Sequence, residues 1–108
     1  MPTLLTLDTT HSDDGKHVLI AAGEIDLSNI GAFKNTLGTA TAEAANTGGL
    51  LTVDLTAVEY LDSAAINALF AHADHIRIVA HPLLMSAFTI SGLAELVNIE
   101  TASAATEL

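Results

Sequence analysis

Leu5 and Leu7 alternate with Thr6 and Asp8, which predicts a half-buried strand, and the polar run from Thr9 to Gly15 predicts the turn that follows. A second strand is expected over His17 to Ala22, so the chain opens with a strand pair. After Gly23-Glu24-Ile25-Asp26 the period changes. Ile30, Phe33, Leu37, Ala40 and Ala44 recur at spacings of three and four, the stripe of an amphipathic helix. Asp26 or Ser28 is the expected cap of its first turn, and Asn46-Thr47-Gly48-Gly49 its stop. Gly31, Gly38 and several Thr residues lower its intrinsic propensity, so packing has to hold it.

Leu51, Val53 and Leu55 alternate with Thr52, Asp54 and Thr56, a strand that leads into Ala57 to Asp62. Beyond Ser63, Ile66, Leu69, Phe70 and Ala73 mark one helical face, and Ile76 to Ala80 reads as a mostly buried strand. Pro82 suits the first turn of a third helix and Gly92 its stop, with Phe88 and Ile90 read as packing residues. Val97 and Ile99 alternate with Asn98 and Glu100 as a last short strand. The order ββαβαβαβ implies a single α/β domain over residues 1–108: a mixed, mostly parallel sheet with helices packed against it through right-handed crossovers. Residues 1–3 and 102–108 are expected to fray.

Composition narrows the function classes. The chain has 108 residues, half of them hydrophobic, enough for one core without covalent or metal staples. Its 3 Lys plus Arg against 13 Asp plus Glu give a formal charge of -10, which removes the positive surface needed to hold nucleic-acid phosphates or anionic lipid. Nucleic acid and direct membrane binding are therefore excluded as expectations. With no Cys there are no disulfides, thiolate metal sites or cysteine nucleophiles, and a reducing compartment is the simplest home. No apolar run reaches bilayer length, and no basic region precedes the short apolar opening, so a cytoplasmic protein is expected. There is no Gly-rich phosphate loop, metalloprotease motif or nucleophile elbow, hence no expected enzyme activity and no cofactor. His72 and His75 would share a helical face as metal ligands, but with Asp74 they read better as a solvated helix end, and no metal is expected.

The most informative stretch is Asp54-Leu55-Thr56-Ala57-Val58-Glu59-Tyr60-Leu61-Asp62-Ser63-Ala64-Ala65, because it places a hydroxyl where a strand gives way to a helix. Unpaired N–H groups and the positive end of the helix dipole there accommodate an added phosphate without breaking the helix. Ser63 equally reads as a simple helix cap, and Asp26 and Asp62 as turn or cap residues.

Gly23-Glu24-Ile25-Asp26, then Asp54-Leu55-Thr56 with Leu61-Asp62-Ser63, then Pro82, Phe88 and Ser91-Gly92-Leu93 together resemble, in order, the motifs of the STAS family and its anti-sigma factor antagonist branch. The resemblance implies a small cytoplasmic protein that binds an anti-sigma factor and so releases a sigma factor. It further implies that the partner is often itself a serine kinase using ATP, and that a phosphatase restores the binding form. Carried onto this chain, Ser63 is the phosphorylation site, and Asp26, Asp62, Ser63 and Ala64 contact the partner. The domain is then the substrate of chemistry rather than its catalyst.

Two departures stand out. Where the family commonly has a second hydroxyl and then Gly, this chain has Ala64 and Ala65, which leaves one hydroxyl, adds a methyl beside it and firms the helix. The stretch from Ser63 to Ile76 is also shorter than the family's usual helix and turn. Two other classes compete: a STAS subunit that docks on the ATPase of an ABC-type lipid transporter, and an acyl carrier protein with phosphopantetheine on Ser63. The carrier is disfavoured because such proteins are all-helical and place an acidic helix after the Ser, whereas Ala64 to Ala73 contains no acid.

Overall fold

The computed structural model describes residues 4–11 and 15–101; the ends expected to fray, 1–3 and 102–108, lie outside the described residues. Strands β1 (Leu5–His11) and β2 (His17–Ile25) pair antiparallel, and β3 (Leu51–Leu61), β4 (Ile76–Ala80) and β5 (Ile99–Thr101) follow β2 in parallel, in the spatial order β1-β2-β3-β4-β5. Between them run α1 (Ile30–Asn46), α2 (Ser63–Phe70), α3 (Met85–Ser91) and the one-turn α4 (Leu93–Leu96). The expected mixed α/β sheet is what the chain forms; α4 is an addition that the sequence pattern did not separate from its neighbours.

The stripe on α1 behaves as its spacing requires. Phe33, Leu37, Ala40 and Ala44 are buried, and Thr41 beside them satisfies its hydroxyl by donating to the Leu37 carbonyl at 2.6 Å. Gly48, at φ +79°, takes the left-handed position that ends the helix. Leu19, Val53 and Ile78 are register partners and fully or almost fully buried; with the buried residues of the helices they form a single core. Their chain neighbours face the other way. Val18, Thr52 and Arg77, and Ile20, Asp54 and Val79, form two cross-strand rows that stay partly exposed, so β4 alternates rather than being buried throughout. Ile90 likewise departs from its expected packing role: Phe88 is fully buried, but Ile90 stands on the outer side of α3.

Strand β3 runs five residues beyond the alternating run that announced it. Past Leu55 its buried positions are Val58 and Leu61, a spacing of three instead of two. The cause is two irregularities in the β2–β3 ladder, between Ile20 and Ala22 and between Gly23 and Glu24, at each of which β3 carries one residue more than β2. Gly23 sits at the second of these with φ +110°, and a methyl there would collide with the Leu4 carbonyl, whose oxygen also accepts the Glu24 N–H at 3.0 Å. Both the backbone conformation and the close crossing of the chain require glycine at this position.

Gly23→Ala is expected to destabilise the domain by about 2 kcal/mol or more, whereas Gly38→Ala, inside α1 with open space around its Cα, should stabilise it by about 0.5–1 kcal/mol. Urea unfolding of the two variants beside the wild type measures both; equal midpoints would contradict the assignment of strain to Gly23.

Candidate functional site

Strand β4 ends at Ala80 opposite Leu55, but β2 and β3 continue past it as an arm, through Ala22 with Ala57, Gly23 with Val58, Glu24 with Tyr60 and Ile25 with Leu61, with β1 still paired to β2 as far as Gly23. One further hydrogen bond, from Asp62 N–H to the Ile25 carbonyl at 3.1 Å, closes the arm. Asp26 and Asp62, 36 positions apart in sequence, therefore leave the sheet side by side. Register alone brings the two motifs singled out in the sequence to one rim.

The loop after β2 is stapled by its own side chains. The Asp26 carboxylate accepts from the Ser28 N–H at 2.9 Å and the Ser28 hydroxyl at 2.6 Å, the closed turn Asp favours. Asn29 accepts the Asp26 N–H at 3.0 Å through Oδ1 and donates Nδ2 to the Glu24 carbonyl at 2.9 Å. Neither Asp26 nor Ser28 caps α1 as expected. Asn29 occupies the capping position, and its side chain makes no cap hydrogen bond because its amide is committed to the loop. Asn29 is thus a positioning residue that the sequence did not reveal; a third polar residue in a Asp-Leu-Ser-Asn run gives no periodic signal to distinguish it.

At the second motif the cap is Asp62. Its backbone is extended, and Oδ1 accepts from the Ala64 N–H at 3.0 Å and the Ala65 N–H at 3.2 Å. The alternative that Ser63 caps the helix is corrected by this geometry: Ser63 is the first helical residue, exposed, and its hydroxyl has no hydrogen-bond partner among the described residues. Ala65 is fully buried, so the methyl that the sequence places beside the acceptor turns into the core, and only the half-buried Ala64 borders Ser63 on the surface. Leu27, between Asp26 and Ser28, is 76% exposed on the same rim. The structure thus brings Asp26, Asp62, Ser63 and Ala64 together, and adds Leu27 and Asn29.

The chemistry open to this arrangement follows from the cap. The Asp62 carboxylate already occupies the N–H groups that would otherwise receive an anion, so a phosphate on Ser63 would add two negative charges beside one carboxylate without gaining the helix N-terminus. Such a group would change the surface more than the fold. His72 and His75 fall in and before a 3-10 turn (Ala73–His75) instead of on one helical face, and among the described residues no three His, Asp or Glu side chains gather as metal ligands. No helix among the described residues is long and apolar enough to cross a membrane.

The family model described as "Mlab, STAS domain" matches residues 9–98. The chain belongs to the STAS domain family. Among solved structures, this STAS domain is similar to an anti-sigma factor antagonist from Mycobacterium paratuberculosis, at 25% identity and a TM-score of 0.79 over 90% of this chain and 86% of that one. It also shares its fold with the anti-sigma factor antagonist SpoIIAA in its unphosphorylated form, at 15% identity and a TM-score of 0.68 over 93% and 92% of the two chains. A third similar structure is a candidate anti-sigma factor antagonist from Thermotoga maritima, at 18% identity and a TM-score of 0.65 over 94% and 92%. Comparison with curated proteins gave no match.

The division of labour between Asp62 and Ser63 in this STAS domain has a direct consequence. Asp62→Ala should lose about 1 kcal/mol of stability with the cap, while Ser63→Ala should stay within about 0.5 kcal/mol of the wild type. Thermal or urea melts of the two variants decide it, and the reverse ranking would make Ser63 the cap.

Proposed function

We propose that this STAS domain is an anti-sigma factor antagonist, which binds an anti-sigma factor through the rim carrying Asp26, Asp62, Ser63 and Ala64 and is switched by reversible phosphorylation of Ser63. The observation that carries the reading is the Ser63 hydroxyl, exposed and unbonded at the head of α2 beside Asp62, whose N–H donates to the Ile25 carbonyl next to Asp26. The relatives support it: two solved proteins of this fold are described as anti-sigma factor antagonists, one of them in its unphosphorylated form.

In the step itself, a kinase transfers the γ-phosphoryl group of ATP to Ser63 Oγ; the P–O bond to ADP breaks, the new P–O bond forms, and the hydroxyl proton leaves to a base of the kinase. A phosphatase returns the hydroxyl by transferring the same group to water. The domain contributes an accessible acceptor and no catalytic group, and the protein acts in the cytoplasm where ATP and sigma factors meet. A phosphate about 5 Å from a partner carboxylate costs on the order of 3 kcal/mol per charge pair at an effective dielectric near 20, before screening. Half of that still weakens binding roughly tenfold.

The competing reading, a subunit that docks on the ATPase of an ABC-type lipid transporter, would use the same STAS domain. Incubation with each purified anti-sigma kinase of the source genome and ATP separates the two. The antagonist reading predicts one added phosphoryl group by intact mass, absent in Ser63→Ala, and at least tenfold weaker binding of Ser63→Asp. No phosphate on the wild type together with equal affinity across the variants would refute the switch, and co-purification with an ABC ATPase in its place would establish the competitor.

A further inference from the structure

Beside the Ser63 rim, α1 and α2 leave a cleft of about 350 Å³ between them. Ala64, Ala68 and Ala71 of the second helix and its C-terminal cap form one wall, and Leu27 and Ile30 face them from the start of the first. Its volume lies at the small end of the range of about 300–1,000 Å³ over which ligand pockets fall. Of its lining residues only Asn67 and Lys34 have polar side chains, too few to orient a small polar molecule. One large apolar side chain of another protein is the occupant that matches such a shape.

Charge then fixes what must surround that side chain. Lys34 is one of only three cations in a chain of net charge -10, and among the described residues it forms no salt bridge. It stands one helical turn beyond Ile30, while Asp26 and Asp62 stand at the Leu27 and Ala64 end, so the rim of the cleft is negative at one end and positive at the other. Leu27 is held outward, 76% exposed, by a loop whose backbone is pinned on both sides, at Asp26 and Asn29. A rigid, exposed aliphatic residue is presented to a partner at little ordering cost.

Building on the anti-sigma reading, we propose that this cleft is the anchor pocket for one large apolar side chain of the anti-sigma factor, flanked on that partner by a base that meets Asp26 and Asp62 and by an acid that meets Lys34. A phosphate on Ser63, next in sequence to Ala64 of the cleft wall, would then stand where the partner has to exclude water, and its desolvation would oppose the seating of the anchor.

The experiment is calorimetric titration of the full chain against each purified anti-sigma factor of the source genome, with four variants: Leu27→Asp, Lys34→Glu, Ser63→Asp and, as a control at the other end of the sheet, Leu50→Asp. Melting curves confirm that each exposed substitution leaves the fold intact. For the factor that binds the wild type, Leu27→Asp should weaken binding at least tenfold and Lys34→Glu about fivefold, with Leu50→Asp unchanged. Wild-type affinity for Leu27→Asp or Lys34→Glu overturns the anchor pocket while a weakened Ser63→Asp leaves the anti-sigma reading standing. Binding of no anti-sigma factor by the wild type refutes that reading and this inference with it. Self-association of the wild type that Leu27→Asp abolishes would show the cleft to be filled by a second copy, which also overturns the proposal.

Discussion

The pairing of β2 with β3 beyond the end of β4 is the constraint on which the rest of this STAS domain depends. Parallel strands that share a register deliver whatever follows them to the same place, and here the last rung, Asp62 N–H to the Ile25 carbonyl, sets two aspartates next to each other. Everything proposed for the rim descends from that adjacency. Within the arm, Gly23 at φ +110° leaves room for the Leu4 carbonyl of β1's approach, so a backbone requirement three residues before Asp26 helps to fix where that aspartate is displayed.

Two aspartates in similar positions are used differently. Asp62 satisfies the head of α2 and so frees the neighbouring hydroxyl from structural duty. Asp26 closes a turn onto Ser28 and, with Asn29, keeps Leu27 pointing outward. Polar side chains thus satisfy backbone groups that are left over at loop and helix ends, and in doing so they leave an alcohol and an aliphatic side chain exposed on a stiff frame. Stiffness matters for recognition, since a preorganised surface loses less entropy on binding than a mobile one.

Much of this was legible in the sequence. The stripe from Ile30 to Ala44 and the alternation in Leu51 to Leu55 stood out because burial on one face imposes a period, and these elements bury one face. The far half of β3 was illegible for the same reason: two extra residues in the ladder break the period of two, and Val58 and Leu61 then look like turn or helix spacing. Ser63 was placed correctly at the strand-to-helix junction, but which of two adjacent polar residues caps a helix depends on one backbone angle pair that no pattern encodes. The cleft of Leu27 and Lys34 lay beyond reach, since it exists only where two helices distant in sequence lean together.

In the proposed complex, the loops that follow β2 and β3 and the helices they start form one interaction surface. The most direct measurement is the backbone amide NMR spectrum of the isotope-labelled domain, recorded with and without the anti-sigma factor that binds it. Shift changes should concentrate in residues 26–34 and 62–71, with the rows of the open sheet face and the short strand β5 undisturbed. Changes centred on that open face or on the β1 edge, with Ser63 and Leu27 unmoved, would contradict it.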